Sequence, residues 1–86
     1  MRTHRSYDAI SVEERKWRMK FGDKLKRLIH IRNMTQGQFA AKLGISEVTL
    51  SRYVTGTYTP NPYILPRMAE ILDITTDCLL DVDGWL

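Results

Sequence analysis

The chain has 86 residues, 13 Lys+Arg against 10 Asp+Glu for a net charge of +3, and a single cysteine. That length supports one domain around one small core, and no apolar run approaches a membrane span or the hydrophobic segment of a secretory leader. Cys78 has no partner for an internal disulfide, His4 and His30 are isolated and expected on the surface, and no Cys/His group has zinc-site spacing. A cytoplasmic protein without metal or cofactor is therefore expected.

In chain order, residues 1–10 read as a flexible basic arm carrying Arg2 and Arg5. Ser11 with Glu14 three positions later is a capping box, so a helix is expected from near Val12, with Gly22 as its only interruption, to about Asn33. Its apolar stripe is Phe21, Leu25, Leu28 and Ile29, and Trp17 extends the stripe one turn toward the N-terminus. Charge is divided unevenly. Residues 1–32 hold ten Lys/Arg against four Asp/Glu, whereas residues 33–86 hold three against six. The positive field thus arises in the N-terminal third, where it suits phosphate attraction or serves as a solvated helix face.

Thr35 and Gln38 form a second capping box that opens helix two, which ends at Leu43 before Gly44. Ser46 caps helix three, expected over 47–55 and terminated by Gly56. Asn61 followed by Pro62 reads as the start of helix four, which places Pro66 in the interior, where it removes a backbone bond and kinks the helix. Thr75 caps a short helix five. Leu65, Met68, Ala69, Leu72, Ile74, Leu79 and Leu80 are expected to close the core, and residues 82–86 form an apolar tail.

The segment 36–55, QGQFAAKLGISEVTLSRYVT, carries the most information. Phe39, Ala40 and Leu43 share one face of a helix, Gly44 breaks it, and Ile45, Leu50 and Tyr53 form a second stripe beyond the break. Two helices that short must bury those stripes against each other. This pattern resembles the helix-turn-helix of the XRE/Cro family of phage and bacterial repressors, and the resemblance covers about residues 21–80 without insertion, through FGDKLKRLIHIRNM, the TQ of helix two, YVTGTYTP and LPRMAEILDITTDCLL. It implies an all-α, five-helix, lambda-repressor-like DNA-binding domain over 11–81 with an N-terminally extended first helix. Many relatives carry a buried Arg–Glu pair where this chain has Ile29 and Val54. Replacing both charges together is neutral or stabilising, so those two residues are expected to touch.

If helix three enters the major groove as the resemblance implies, its outer face presents Ser46, Glu47, Val48, Thr49, Ser51, Arg52 and Thr55 to base edges. Arg52 suits guanine O6 and N7 or else a plain phosphate contact, Val48 a thymine methyl, and Glu47 a cytosine amino group, while Ser51 and Thr49 suit either base or phosphate. Glu47 has a second reading, since an acid in a first turn favours the helix dipole without contacting DNA. Phosphate contacts are expected from Gln36 at the start of helix two and from Thr57, Tyr58, Thr59 and Tyr63 beyond helix three.

The resemblance further implies a homodimer on a palindromic operator of double-stranded DNA, in a bacterial or phage setting at the nucleoid. The apolar stretch Leu79, Leu80, Val82, Trp85 and Leu86 is one candidate dimer surface, or else folds back on the core, and the other candidates are Trp17 with the basic first helix, or dimerisation only on DNA. Transcriptional repression is the expected function. A protein-interaction or antitoxin-type module on the same fold is the alternative, with the acidic second half as its surface. An enzyme is not expected, because the chain has no glycine-rich phosphate loop, nucleophile–base pairing or paired carboxylates.

Overall fold

The computed structural model describes residues 12–82, which form five helices and no strand. The expected arm at residues 1–10, the Ser11 cap and the tail from residue 83 onward lie outside the described residues. Helix α1 spans Val12–Ile31, α2 Gln36–Leu43, α3 Glu47–Val54, α4 Leu65–Leu72 and α5 Thr76–Leu80. Helix α1 packs against α2, α3 and α5, while α2 packs against α3 and α4, and α4 against α5.

The local chemistry of the ends explains most boundaries. Thr35 Oγ1 accepts from the Gln38 N–H at 3.1 Å and the Gln38 side chain accepts from the Thr35 N–H at 2.9 Å, completing the capping box. Ser46 and Thr75 cap α3 and α5 in the same way, accepting from Thr49 N–H and Cys78 N–H. Gly44 closes α2 with φ 80°, a left-handed conformation that glycine adopts without the Cβ penalty. Asn33 and Asp73 adopt the same region, both at φ 59°, at the ends of α1 and α4.

Three expectations are corrected. Helix four begins at Leu65, later than the Asn61–Pro62 pair suggested. Those residues instead form a turn in which Asn61 Oδ1 accepts from the Tyr63 N–H at 2.9 Å. Pro66 consequently falls in the first turn of α4, where its missing N–H has no partner to lose, and it does not interrupt the helix. Gly22 does not interrupt α1 either, and the helix is continuous through it.

Gly22 is small because another backbone occupies the space. A Cβ at this position would stand 2.7 Å from the Val54 carbonyl carbon and 2.8 Å from the Tyr53 oxygen, so α1 and the end of α3 touch main chain to helix. Ile29 and Val54 both join the apolar cluster, and the Val54 main chain is seated on Gly22, two turns before Ile29. That cluster is built on Phe21, Leu25, Ile29, Phe39, Leu50, Met68, Leu72 and Leu79, all essentially inaccessible. Trp17 stacks on Phe21 with ring centroids 5.1 Å apart, so the helix preceding the common core is packed onto it. Val82, assigned to the tail from sequence, is buried in the same cluster at 3% exposure.

Long-range side chains tie the other helix ends. Lys24 Nζ donates to the Cys78 and Asp81 carbonyls at the end of α5, Arg32 Nε to the Leu72 carbonyl at the end of α4 (2.9 Å), and Arg67 Nη2 to the Lys42 carbonyl near the end of α2 (3.1 Å).

Gly22→Ala should lower stability by about 2 kcal/mol even though alanine is the better helix former, because the overlap with α3 outweighs a propensity gain of about 1 kcal/mol. Thermal unfolding reads this directly, and a variant melting above wild type would show that the two helices do not approach at Gly22. Thr35→Ala should cost about 1 kcal/mol through the lost cap, measured by urea titration.

Candidate nucleic-acid interface

Helix α3 is amphipathic over only two turns. Leu50 is fully buried and Tyr53 and Val54 are half-buried, which turns the opposite face to solvent. Of the sequence-predicted base readers, Ser46, Glu47, Val48, Ser51, Arg52 and Thr55 are exposed and Thr49 is half-buried. Val48 is a bare valine at 62% exposure on this face, with no apolar neighbour required by the core.

The helix-turn-helix itself is fixed by the turn between α2 and α3. The Gly44 N–H bonds the Ala40 carbonyl at 2.9 Å, the Ile45 N–H bonds the same carbonyl at 3.1 Å, and Ser46 then starts α3. Ala40, 2% exposed, lies within the buried cluster that the two helices share. Ser46 is committed to structure at both ends of its hydroxyl, which accepts from the Thr49 N–H and donates to Thr49 Oγ1 at 2.9 Å.

Arg52 stands on the ring of Tyr58, its guanidinium carbon 5.4 Å from the ring centroid. The attraction between a guanidinium and a ring face favours this side-chain position over the other rotamers open to an arginine. The loop that brings Tyr58 there folds back on α3. The Thr57 and Tyr58 N–H groups both bond the Arg52 carbonyl, at 2.9 and 3.3 Å, and Gly56 supplies the turn with φ 80°. Thr55 Oγ1 and Thr57 Oγ1 share a hydrogen bond of 2.9 Å across the same turn. Predicted base-reading and phosphate-binding residues thus meet at this corner.

At the other end of α3, the Glu47 carboxylate lies beside the first turn of α2, with an oxygen 3.2 Å from where a Cβ on Gly37 would be. Gln36, half-buried, begins that turn. The carboxylate therefore neighbours two helix N-termini, a favourable electrostatic position on either count. Thr59 is exposed beyond Tyr58, and Tyr63, 92% exposed, is held in the Asn61 turn ahead of α4.

Sequence reasoning assigned the α1 cations to a general positive field and missed that Arg18, 6% exposed, bonds the Thr57 carbonyl of this corner. Its register was a signal. Arg18 falls next to Trp17 and one turn before Gly22, on the packed side of the helix. Lys24 is buried at the end of α5, and the other α1 cations Arg15, Lys16, Lys20, Lys26 and Arg27 are exposed, with Arg27 paired to Asp23 at 3.4 Å. Among the described residues no His/Cys/Asp/Glu group has the arrangement of a metal site, and no helix is long and apolar enough to cross a membrane.

The HTH-type transcriptional activator BcrR of Enterococcus faecalis is 34% identical over 62 residues, which cover 72% of this chain but only 30% of that protein. The chain spans less than a third of the length of this relative. No solved structure matches it significantly. The helix-turn-helix family model matches residues 24–77, from the middle of α1 into α5, and with the α2–turn–α3 unit complete inside that span the chain belongs to the XRE-type helix-turn-helix family.

Proposed function

We propose that the chain is a transcriptional regulator that binds double-stranded DNA by sequence, with α3 in the major groove. The observation that carries this reading is the outer face of α3, which is solvent-facing along its length and ends in an exposed arginine whose guanidinium lies over a tyrosine ring. Arg52 pairs with guanine O6 and N7, a contact worth about 1–3 kcal/mol of discrimination. Val48 packs on a thymine methyl, while Ser51, Thr49 and Thr55 serve adjacent base edges, and Ser46 contributes mainly by starting the helix.

Gln36 and the first turn of α2 take a phosphate on one side, and Thr57, Tyr58, Thr59 and Tyr63 take phosphates on the other. The two sets bracket α3 and fix its register in the groove. Glu47, beside the α2 N-terminus, tempers phosphate attraction there. Pairing of two copies would place two α3 helices in successive major grooves about 10 base pairs apart, so the operator is an inverted repeat and the acting species a homodimer. Repression by occupancy of a promoter is the simplest mechanism, because it needs DNA binding alone. Activation, the role in the relative's name, needs a second contact surface as well. On this reading the protein is a binder, not an enzyme, and works at bacterial or phage DNA in the cytoplasm.

Selection from a random duplex library at about 0.15 M salt, close to physiological ionic strength, should enrich an inverted repeat with half-sites near one helical turn apart. Absence of any enriched sequence would reject DNA reading in favour of a protein-interaction role. On the selected duplex, Arg52→Ala should lose about 1–3 kcal/mol and relax preference at one base position, whereas Gln36→Ala should weaken all duplexes alike and leave the salt slope unchanged, since glutamine carries no charge. Glu47→Gln should tighten binding to every duplex by a few-fold at low salt, an effect that fades as salt rises. A change in preferred base instead would assign Glu47 to readout.

A further inference from the structure

Arg18 lies in the part of α1 that precedes the family match, which begins at residue 24. The residue is 6% exposed, and its guanidinium donates from Nη1 to the Thr57 carbonyl and lies 3.9 Å from the Glu14 carboxylate. Its Nε makes no hydrogen bond among the described residues. A buried guanidinium with an unfilled donor is expensive, and an apolar side chain of similar length would fill the same space at lower cost if packing were its only task. The residue's place in the fold suggests another task.

The bond to Thr57 joins positions 39 residues apart and grips the chain where it leaves α3. One residue earlier, Gly56 is pressed onto the same helix, and a Cβ there would stand 3.1 Å from Met19 Cα and 3.2 Å from its N. The α1 extension thus holds Gly56 and Thr57 in succession. The Thr57 N–H bonds the Arg52 carbonyl, and the next residue is Tyr58, whose ring supports the Arg52 guanidinium. Arg18, the Thr57 peptide, Tyr58 and Arg52 form one continuous line of contacts from the extension of α1 to the outer face of α3.

We propose that Arg18 is a positioning residue for sequence readout. By fixing the exit loop of α3, it holds the Tyr58 ring beneath Arg52 and presets the guanidinium edge for its base. The inference rests on the DNA-reading function proposed above. A preset arginine loses less side-chain freedom on binding, and this gain is realised only on the sequence that Arg52 recognises. Non-specific duplex binding, which is governed by phosphate contacts, does not draw on it.

The test uses the full chain with the selected operator and a scrambled duplex of equal length at one salt concentration. Arg18→Met should weaken operator binding about tenfold, within the range expected for loss of one well-oriented bidentate contact, and leave scrambled binding nearly unchanged. Arg18→Lys should restore most of the preference, since an ammonium can also donate to the Thr57 carbonyl. Tyr58→Leu, at a half-exposed ring outside the core, should lower the operator-over-scrambled ratio by a similar factor, on top of a loss common to both duplexes from its phosphate contact, and the double variant should show a ratio no lower than the worse single. In the unbound protein, the Arg52 Nε–Hε NMR resonance should move in both Arg18→Met and Tyr58→Leu, away from the position set by the ring. Arg18→Met with wild-type preference and an unmoved Arg52 resonance would overturn the proposal. Equal loss on both duplexes, in step with loss of folded protein, would also overturn it and leave Arg18 a stabilising residue alone. A wild type without any sequence preference would instead remove the DNA-reading function, and the Arg52 resonance would still decide whether Arg18 sets the position of that side chain.

Discussion

Four of the five helices are too short to persist by themselves. Helices α2, α3 and α4 have eight residues each and α5 has five, below the length at which an isolated helix is more than marginal in water. Each also ends in carbonyls that no further turn can satisfy. The long α1 answers both needs. Its apolar stripe of Phe21, Leu25 and Ile29 is the surface on which the core condenses, and cations on it and just after it reach the C-terminal ends of its neighbours, Lys24 at α5, Arg18 just beyond α3 and Arg32, one residue past Ile31, at α4. A positive charge at a helix C-terminus is favourable against the dipole as well as satisfying an acceptor. Arg67 of α4 does the same for α2. The arrangement of short helices, and with it the exposed face of α3, depends on these ties.

This use of charge changes the meaning of the basic N-terminal third. Arg18 and Lys24 are buried and Arg32 is bonded to Leu72, so these three add to the long-range field but are held away from a phosphate. The cations that remain on the surface of α1 sit on the side away from the packed stripe. An electrostatic footprint read from charge counts alone would therefore overcount the α1 side chains that are available to a partner.

Sequence reading succeeded where the determinants are local. The Thr35–Gln38 box, the Ser46 and Thr75 caps, the Gly44 turn and the split between buried Leu50 and exposed Val48 all follow from spacings of four residues or fewer, and the family resemblance rests on them. It failed where the determinant is a distant backbone. Gly22 reads as a helix weakness, yet it is required by α3 lying against it, and Arg18 reads as a solvated cation until the Thr57 carbonyl, 39 positions away, is placed beside it. Pro66 failed for a different reason. Asn61–Pro62 is as good a turn signal as a helix start, and the choice between them falls to Ile64 and Leu65, which pack on the core and set where α4 begins.

The same contrast separates what the family fold supplies from what this chain adds. The α2–turn–α3 unit is complete within residues 24–77, and its internal hydrogen bonds fix where α3 starts and which side faces out. They do not fix where a long, flexible side chain at its far end points. That is decided at the exit of α3, by a loop whose turn is made by Gly56 and whose next carbonyl is held by Arg18 from outside the matched span. An arginine has enough rotamer freedom that its orientation before binding is a large part of what it can contribute to recognition. In this chain the orientation of Arg52 is set by Tyr58, and the place of Tyr58 is set by the extended first helix. Packing of Trp17 on Phe21 anchors that extension to the core, so the same aromatic contact that stabilises the fold also sustains the geometry of its outer face.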